Sequence, residues 1–159
     1  MRVEWINPFV TATCDVFRKT LACELTRCPM TRRDSFCPSH EVSGLIGLTG
    51  QAQGMVVVSL GRQTAIRVAE IMLETPQETI NADVADAVGE IANMIAGSAK
   101  SRLAEYELSV GLPTVICGKN HVIAFPSKST PVLIPFESNI GPFCLEVSLV
   151  EQAAGNPRC

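Results

Sequence analysis

The feature that most restricts the fold of this chain is one long amphipathic segment, residues 81–105, with the sequence NADVADAVGEIANMIAGSAKSRLAE. Its apolar residues recur at steps of three and four, which places them on one side of a helix. They are Val84, Ala87, Val88, Ile91, Ile95, Ala99 and Leu103. Asn81 is the predicted N-cap, and Asp83 suits the positive end of the helix dipole. The segment therefore predicts one helix that packs a single face against a core.

The opposite side of this helix carries a polar stripe. Its members are Asp86, Glu90, Asn93, Gly97 and Lys100. Most such stripes are simply solvated. This one contains Asn, a mediocre helix former, and Gly97, which costs roughly 1 kcal/mol relative to Ala inside a helix. Gly97 also leaves a flat place where another surface can approach the backbone. The spacing alone leaves both interpretations open, a solvated face and a functional face.

Length and charge exclude several classes of protein. A chain of 159 residues fits one domain with a sizeable core. Its net charge of −3 argues against nucleic acid or an anionic membrane as the main partner. No apolar run is long enough to span a membrane, and the first residues have no secretory signal. We therefore expect a cytoplasmic protein that binds neither nucleic acid nor membrane.

The chain contains seven cysteines, which is many for its length. Without an export signal, reduced thiols are expected rather than a disulfide framework. Cys23, Cys28, Cys37 and His40 fall within 18 residues and could hold zinc. Their gaps lack the two-residue spacing of common zinc knuckles, so we predict no metal site. A thiol- or metal-sensing module built on these four residues remains the weaker alternative.

The remaining elements predict an α+β domain. The predicted elements are a helix at Ile6–Leu25, a polar connector at 26–41, a hairpin of Val42–Thr49 and Met55–Leu60, a helix at 61–73, a brief helical turn at 75–78, the long helix, a hairpin of Thr114–Cys117 and His121–Phe125, and a hairpin of Val132–Glu137 and Pro142–Val150. Long helices then pack on one face of a mostly antiparallel sheet. A helix followed by a hairpin occurs twice, which hints at duplicated halves. The domain is predicted to span 1–151, with a frayed tail at 152–159.

Two sequence details refine this arrangement. Alternation of apolar and polar residues in the last strand predicts one buried face. Gly44, Gly47 and Gly50 lie in or next to a strand, where close packing or a bulge is expected rather than phosphate binding. The chain has neither a dinucleotide-binding fingerprint nor a phosphate-loop signature.

The polar stripe carries a recognisable motif. The motif consists of Asp86, Glu90 and Asn93, with three residues between the first two and two residues between the last two. It resembles the active-helix signature of the CheC/CheX/FliY family of chemotaxis phosphatases, and the chain most resembles the CheX-type members of that family. The resemblance extends to VEWINPFVTATCDVF, GLIGLTGQAQGMVVVSL, LPTVICGKNHVI and PFCLEVSLVE. Residues 27–39 show no family pattern.

This resemblance implies a phosphatase that removes phosphate from the phospho-aspartate of a CheY-like response regulator. Asn93 would orient the attacking water, and Glu90 would pair with the lysine of the receiver domain. Asp86, Gly97 and Lys100 complete the expected partner-binding face. The receiver would supply Mg²⁺, so no cofactor of the chain's own is expected.

The first helix resembles a second, altered copy of the motif. Asp15 and Arg18 stand where glutamate and asparagine would be, and arginine cannot accept a hydrogen bond from water. We therefore predict one active face per chain. The resemblance also implies a homodimer. A non-catalytic adaptor that binds receivers or flagellar switch proteins through the same face is the alternative function.

Overall fold

The computed structural model describes residues 3–32, 40–125 and 130–152. Within these ranges the helices are α1 (Val3–Leu21), α2 (Arg62–Leu73) and α3 (Ala82–Arg102), and a 3₁₀ turn follows α3 at Ala104–Tyr106. The strands are β1 (Leu25–Arg27), β2 (Thr31–Arg32), β3 (Val42–Thr49), β4 (Ala52–Leu60), β5 (Ser109–Val110), β6 (Thr114–Cys117), β7 (Val132–Ser138) and β8 (Phe143–Glu151). No helix in these ranges combines the length and hydropathy needed to span a bilayer.

The strands form one sheet in the order β1-β7-β8-β4-β3-β5, with β2 also on β7 and β6 also on β3. The described pairings are antiparallel. Hairpins β3–β4 and β7–β8 meet along β4 and β8, from Ala52 opposite Glu151 to Leu60 opposite Phe143. This confirms the predicted α+β class. Strands β4 and β8 are neighbours at the centre of the sheet, and each is flanked by the other strand of its own hairpin.

The main core lies between the helices and one face of this sheet. Aromatic rings join α1 to β8 and β7: Phe17 stacks on Phe143 with ring centroids 4.4 Å apart, and Phe143 stacks on Phe136 at 5.1 Å. On the other half, α3 lies close to β3. A Cβ on Gly44 would be 3.0 Å from the Cβ of Ala92, so this glycine permits the close packing that the sequence predicted.

Two predicted helix ends and one predicted helical turn are wrong. Helix α1 ends at Leu21 instead of residue 25, because Ala22 adopts a left-handed conformation (φ 49°) and the Cys23 amide donates to the Phe17 carbonyl. The chain then enters β1, which pairs with β7. Helix α3 stops at Arg102 instead of residue 105. Residues 75–78 form no helical turn, since the Gln77 amide donates to the Glu70 carboxylate instead.

The predicted hairpin of residues 114–117 and 121–125 is also wrong. Strand β6 pairs with β3, while 121–125 has no regular structure. The Gly118 amide donates to the Glu41 carbonyl at 2.8 Å, and the His121 Nε2 lies 2.8 Å from the Ser43 hydroxyl. Ser43 points to the side of the sheet away from the helices, so these contacts direct the segment across that side, where Ile123 is buried.

Strand β8 is buried on both faces, where the sequence predicted one. Phe143, Leu145, Val147 and Leu149 belong to the helix-side core, and Cys144, Glu146 and Ser148 are buried on the other side. The His121–Ile123 segment and a hydrogen bond between the Ser43 and Ser59 hydroxyls (2.8 Å) contribute to this second layer. Alternation failed as a guide because a covering segment can bury small polar side chains once they are hydrogen-bonded.

Candidate functional site

Helix α3 forms a rigid base for the polar stripe. As predicted, Asn81 is its N-cap: the side-chain oxygen accepts from the Val84 amide at 2.9 Å. The Asn81 amide group in turn donates to the Gln77 side chain at 2.9 Å. The helix continues without interruption for 21 residues, and its inner face is buried from Val84 to Ala99.

The stripe faces outward along this helix. Asp86, Glu90 and Lys100 are exposed, while Asn93 and Gly97 are partly buried. Glu90 and Asn93 are one turn apart, about 4.5 Å along the axis. In the described part of the chain, neither side chain has a hydrogen bond or an ion pair with another residue. The carboxylate and the carboxamide are therefore available to a group from outside.

A groove of about 570 Å³ borders Asn93. Lys19 of α1 and Gly97 and Lys100 of α3 contribute to its lining, together with Val110 of β5. A Cβ on Gly97 would meet no atom within 4 Å, so packing within the chain does not require a glycine there. Asp15 also lines the groove, but its carboxylate is paired with Arg18 and Arg102. The two lysines and the open space beside the carboxamide therefore suit an anionic partner.

An ion-paired cluster occupies the face of α1 that carries the altered copy of the motif. The two carboxylate oxygens of Asp15 accept separately, one from Arg18 on the same helix and the other from Arg102 at the end of α3 (2.5 Å). The sequence predicts that the face carrying Asp15 and Arg18 is inactive, and in the structure these two side chains form an ion pair with each other. Lys19 and Arg102, which also lie near the site, are not among the residues that the sequence predicts for it. The i,i+3 spacing of Asp15 and Arg18 is a local signal, but nothing local indicates Arg102, 87 residues away.

Of the four candidate zinc ligands, the three that the structure describes do not come together as a metal site. The Cys23 thiol is buried and donates to the side-chain oxygen of Asn139 at 2.8 Å. Cys37 lies outside the described residues. Among the residues that are described, no three His, Cys, Asp or Glu side chains are placed to share a metal ion. Desolvation raises the pKa of the Cys14 and Cys117 thiols, with Asp15 adding to the effect at Cys14. A raised thiol pKa disfavours the reactive thiolate.

Comparison with known families decides the relationship. Residues 42–137, more than half of the chain, match the family model for the chemotaxis phosphatase CheX. The chain belongs to the CheX family. The matched residues include β3, β4, α2, all of α3 and most of β7.

Individual CheX proteins resemble it over most of their length. The CheY-P phosphatase CheX of Thermotoga maritima is 28% identical over 119 residues, which cover 72% of this chain and 76% of that protein. The crystal structure of CheX from Desulfovibrio desulfuricans is 34% identical with a TM-score of 0.84, covering 93% of this chain and 100% of that one. A CheX–CheY–BeF3–Mg²⁺ complex from Borrelia burgdorferi contains a chain that is 23% identical, with a TM-score of 0.81 and coverage of 94% and 100%. At that identity the Borrelia likeness shows the fold alone.

Within this CheX fold, the motif of Asp86, Glu90 and Asn93 lies inside the matched residues and on the outward side of α3. On the corresponding face of α1, the carboxylate of Asp15 is ion-paired with Arg18 of the same helix and with Arg102 of α3. The two helices thus differ in what they offer a partner. Among the residues that are described, α3 presents a carboxylate and a carboxamide without partners, whereas α1 presents an ion-paired cluster.

Proposed function

We propose that this CheX-family protein hydrolyses the phospho-aspartate of a CheY-like receiver domain. The observation that carries the proposal is the pair of Glu90 and Asn93, which project from one continuous helix without partners in the described chain. The Thermotoga relative is a CheY-P phosphatase, and the Borrelia relative forms a complex with CheY and BeF3. The Thermotoga relative supports a phosphorylated receiver as the substrate, while the Borrelia chain shares the fold.

The chemistry requires positioning more than covalent catalysis. An acyl phosphate is hydrolysed when water attacks in line with the phosphorus, and the receiver supplies the aspartate, a Mg²⁺ ion and a lysine. The carboxamide of Asn93 can accept a hydrogen bond from this water and donate one to an oxygen nearby. Because the carboxamide is neutral, it adds no negative charge to an anionic site. Asn93 is therefore the residue that orients the water.

Glu90 sets the register of docking in this proposal. Its carboxylate is exposed one turn from Asn93 and would pair with the lysine of the receiver. Since both side chains project from the same rigid helix, docking of the carboxylate brings the carboxamide to the phosphoryl group. Asp86, Gly97 and Lys100 extend the contact along α3. The protein needs no metal ion of its own, because the receiver holds the Mg²⁺.

The test is the Asn93→Ala variant. We expect its acceleration of receiver dephosphorylation to fall ~100-fold or more, as when one group that positions a reactant is removed. The measurement is the decay of a ³²P-labelled CheY-like receiver, together with binding to the same receiver carrying BeF3⁻ and Mg²⁺, which should persist. Asn7→Ala, an exposed asparagine on α1, is the matched control and should retain full activity.

Unchanged acceleration by Asn93→Ala would remove Asn93 from the mechanism. If the wild-type protein instead bound the phosphorylated receiver without shortening its lifetime, the adaptor function would replace the phosphatase.

A further inference from the structure

Leu112 is the most exposed large apolar side chain in the described residues, with 90% of its surface accessible. The next, Val122, is 61% exposed. Single exposed leucines are common on protein surfaces, so exposure alone indicates nothing. Leu112 is significant because its loop lies beside α3.

Both sides of Leu112 are fixed next to α3. Val110, two residues before it, lines the groove that contains Asn93 and Gly97. Pro113, the residue after it, lies against α3 at Gly89, where a Cβ would be 3.7 Å from the Cβ of Pro113. The loop therefore runs beside the segment of α3 between Gly89 and Gly97. That segment carries Glu90 and Asn93.

The backbone holds this loop in place. The Gly111 amide donates to the Gly47 carbonyl of β3 at 2.9 Å, and strands β5 and β6 on either side both pair with β3. Pro113 restricts the φ angle of its own residue and the conformation of Leu112 before it. Little conformational entropy remains to be lost if the leucine becomes part of an interface.

We propose that Leu112 is an apolar docking residue that contacts the body of the receiver domain when Glu90 and Asn93 reach its phosphoryl group. This inference rests on the proposed function. A carboxamide can act on a phosphoryl group only within hydrogen-bonding distance, so a receiver must lie directly against α3. A receiver domain in this position would also contact the loop that runs beside α3. Leu112 is then removed from water and supplies affinity, as apolar anchors do inside polar rims.

The chemistry of the side chain separates this role from that of Asn93. Leucine carries no polar group that could orient water or stabilise charge, so its loss should weaken docking and leave the chemical step unchanged. Asn93→Ala should do the opposite. Substitution of Leu112 is therefore expected to raise KM at constant kcat, and Asn93→Ala to lower kcat at constant KM.

The experiment compares Leu112→Asp and Leu112→Ala with Val122→Asp, whose site lies on the loop over the other side of the sheet. Kd for the receiver carrying BeF3⁻ and Mg²⁺ and the KM and kcat of dephosphorylation are measured for each, with mass from light scattering. We expect Leu112→Asp to raise Kd and KM about tenfold or more with kcat within about twofold of wild type. Leu112→Ala should cause a smaller rise in Kd, and Val122→Asp should match the wild type.

Unchanged Kd and KM for Leu112→Asp would overturn the inference, and so would a fall in kcat at constant KM. A wild-type dimer that becomes monomeric in Leu112→Asp would also overturn it, by identifying the leucine as a contact between two copies of the chain. If Asn93→Ala is inactive but still binds, while Leu112→Asp behaves as wild type, the phosphatase function stands and only the docking role fails. Absence of both binding and activity in the wild-type protein would remove the proposed function and this inference together.

Discussion

At the scale of single residues, the outward side of α3 contributes little to the core. Glu90 is exposed and Asn93 is partly buried, and neither belongs to the core cluster. Substitutions at such positions usually change stability by less than about 0.5 kcal/mol. Activity and stability can therefore be separated experimentally along this stripe, and Gly97 offers the sharpest case.

We predict that Gly97→Ala raises the free energy of unfolding by about 0.5–1 kcal/mol, because alanine is the better helix former and a Cβ here meets no atom within 4 Å. Gly97→Gln should be at least as stable as the wild type, yet it should bind the receiver more weakly, because its side chain fills the open space beside Asn93. Urea denaturation and receiver binding measure the two effects. Ser101→Gln, one turn further along α3, is the control. Full binding by Gly97→Gln would show that this space is not used for docking.

At the scale of elements, α3 depends on its first turn as well as on its buried face. The N-cap bond from the Val84 amide to Asn81 is joined by the bond between the Asn81 and Gln77 side chains. The first bond satisfies a backbone N–H that has no partner inside the helix, and the second holds the capping side chain. Glu90 and Asn93, the proposed catalytic pair, lie more than two turns further along.

We predict that Asn81→Ala lowers the free energy of unfolding by about 1 kcal/mol through loss of this cap. The kcat of dephosphorylation should stay near that of wild type, because Glu90 and Asn93 are held by the packed middle of the helix. Asn81→Asp keeps the acceptor and should recover most of the stability. Chemical denaturation of the three proteins provides the measurement, and equal stability for Asn81→Ala and the wild type would contradict the capping role.

At the scale of the whole molecule, we expect the burial of His40 to make stability depend on pH. His40 is partly buried, and in the described chain its two ring nitrogens have no hydrogen-bond partner. Burial lowers the pKa of His40, and the nearby His121 lowers it further. Glu41 and Arg62 form an ion pair in the same region, with 3.7 Å between Oε2 and Nη1. The folded protein therefore disfavours the protonated form of His40.

Because the pKa of His40 is lower in the folded than in the unfolded chain, the unfolded chain binds more protons between the two values. We predict that stability is fully present above the ordinary histidine pKa of about 6.5 and declines as the pH falls below it. His40→Gln should reduce this slope. The measurement is the urea midpoint of both proteins between pH 7.5 and pH 5, and identical slopes would assign the pH dependence to other groups.

The sequence by itself determined those parts of the protein whose information is local. Helical periodicity and the N-cap defined α3 and its outward stripe, and alternation with turn residues located the β3–β4 and β7–β8 hairpins. The motif of Asp86, Glu90 and Asn93 indicated the family that the comparison then established. Periodicity succeeds here because it depends on the geometry of a few consecutive residues.

Only the tertiary structure decided what those faces pack against. It paired β6 with β3 instead of with residues 121–125, and it buried both faces of β8. It also joined Asp15 to Arg102 and placed the loop of Leu112 beside the segment of α3 that carries Glu90 and Asn93. Each of these depends on contacts between residues far apart in the chain. Local patterns specify which side of an element is buried, but the partner is fixed only when the whole chain competes for the same surfaces.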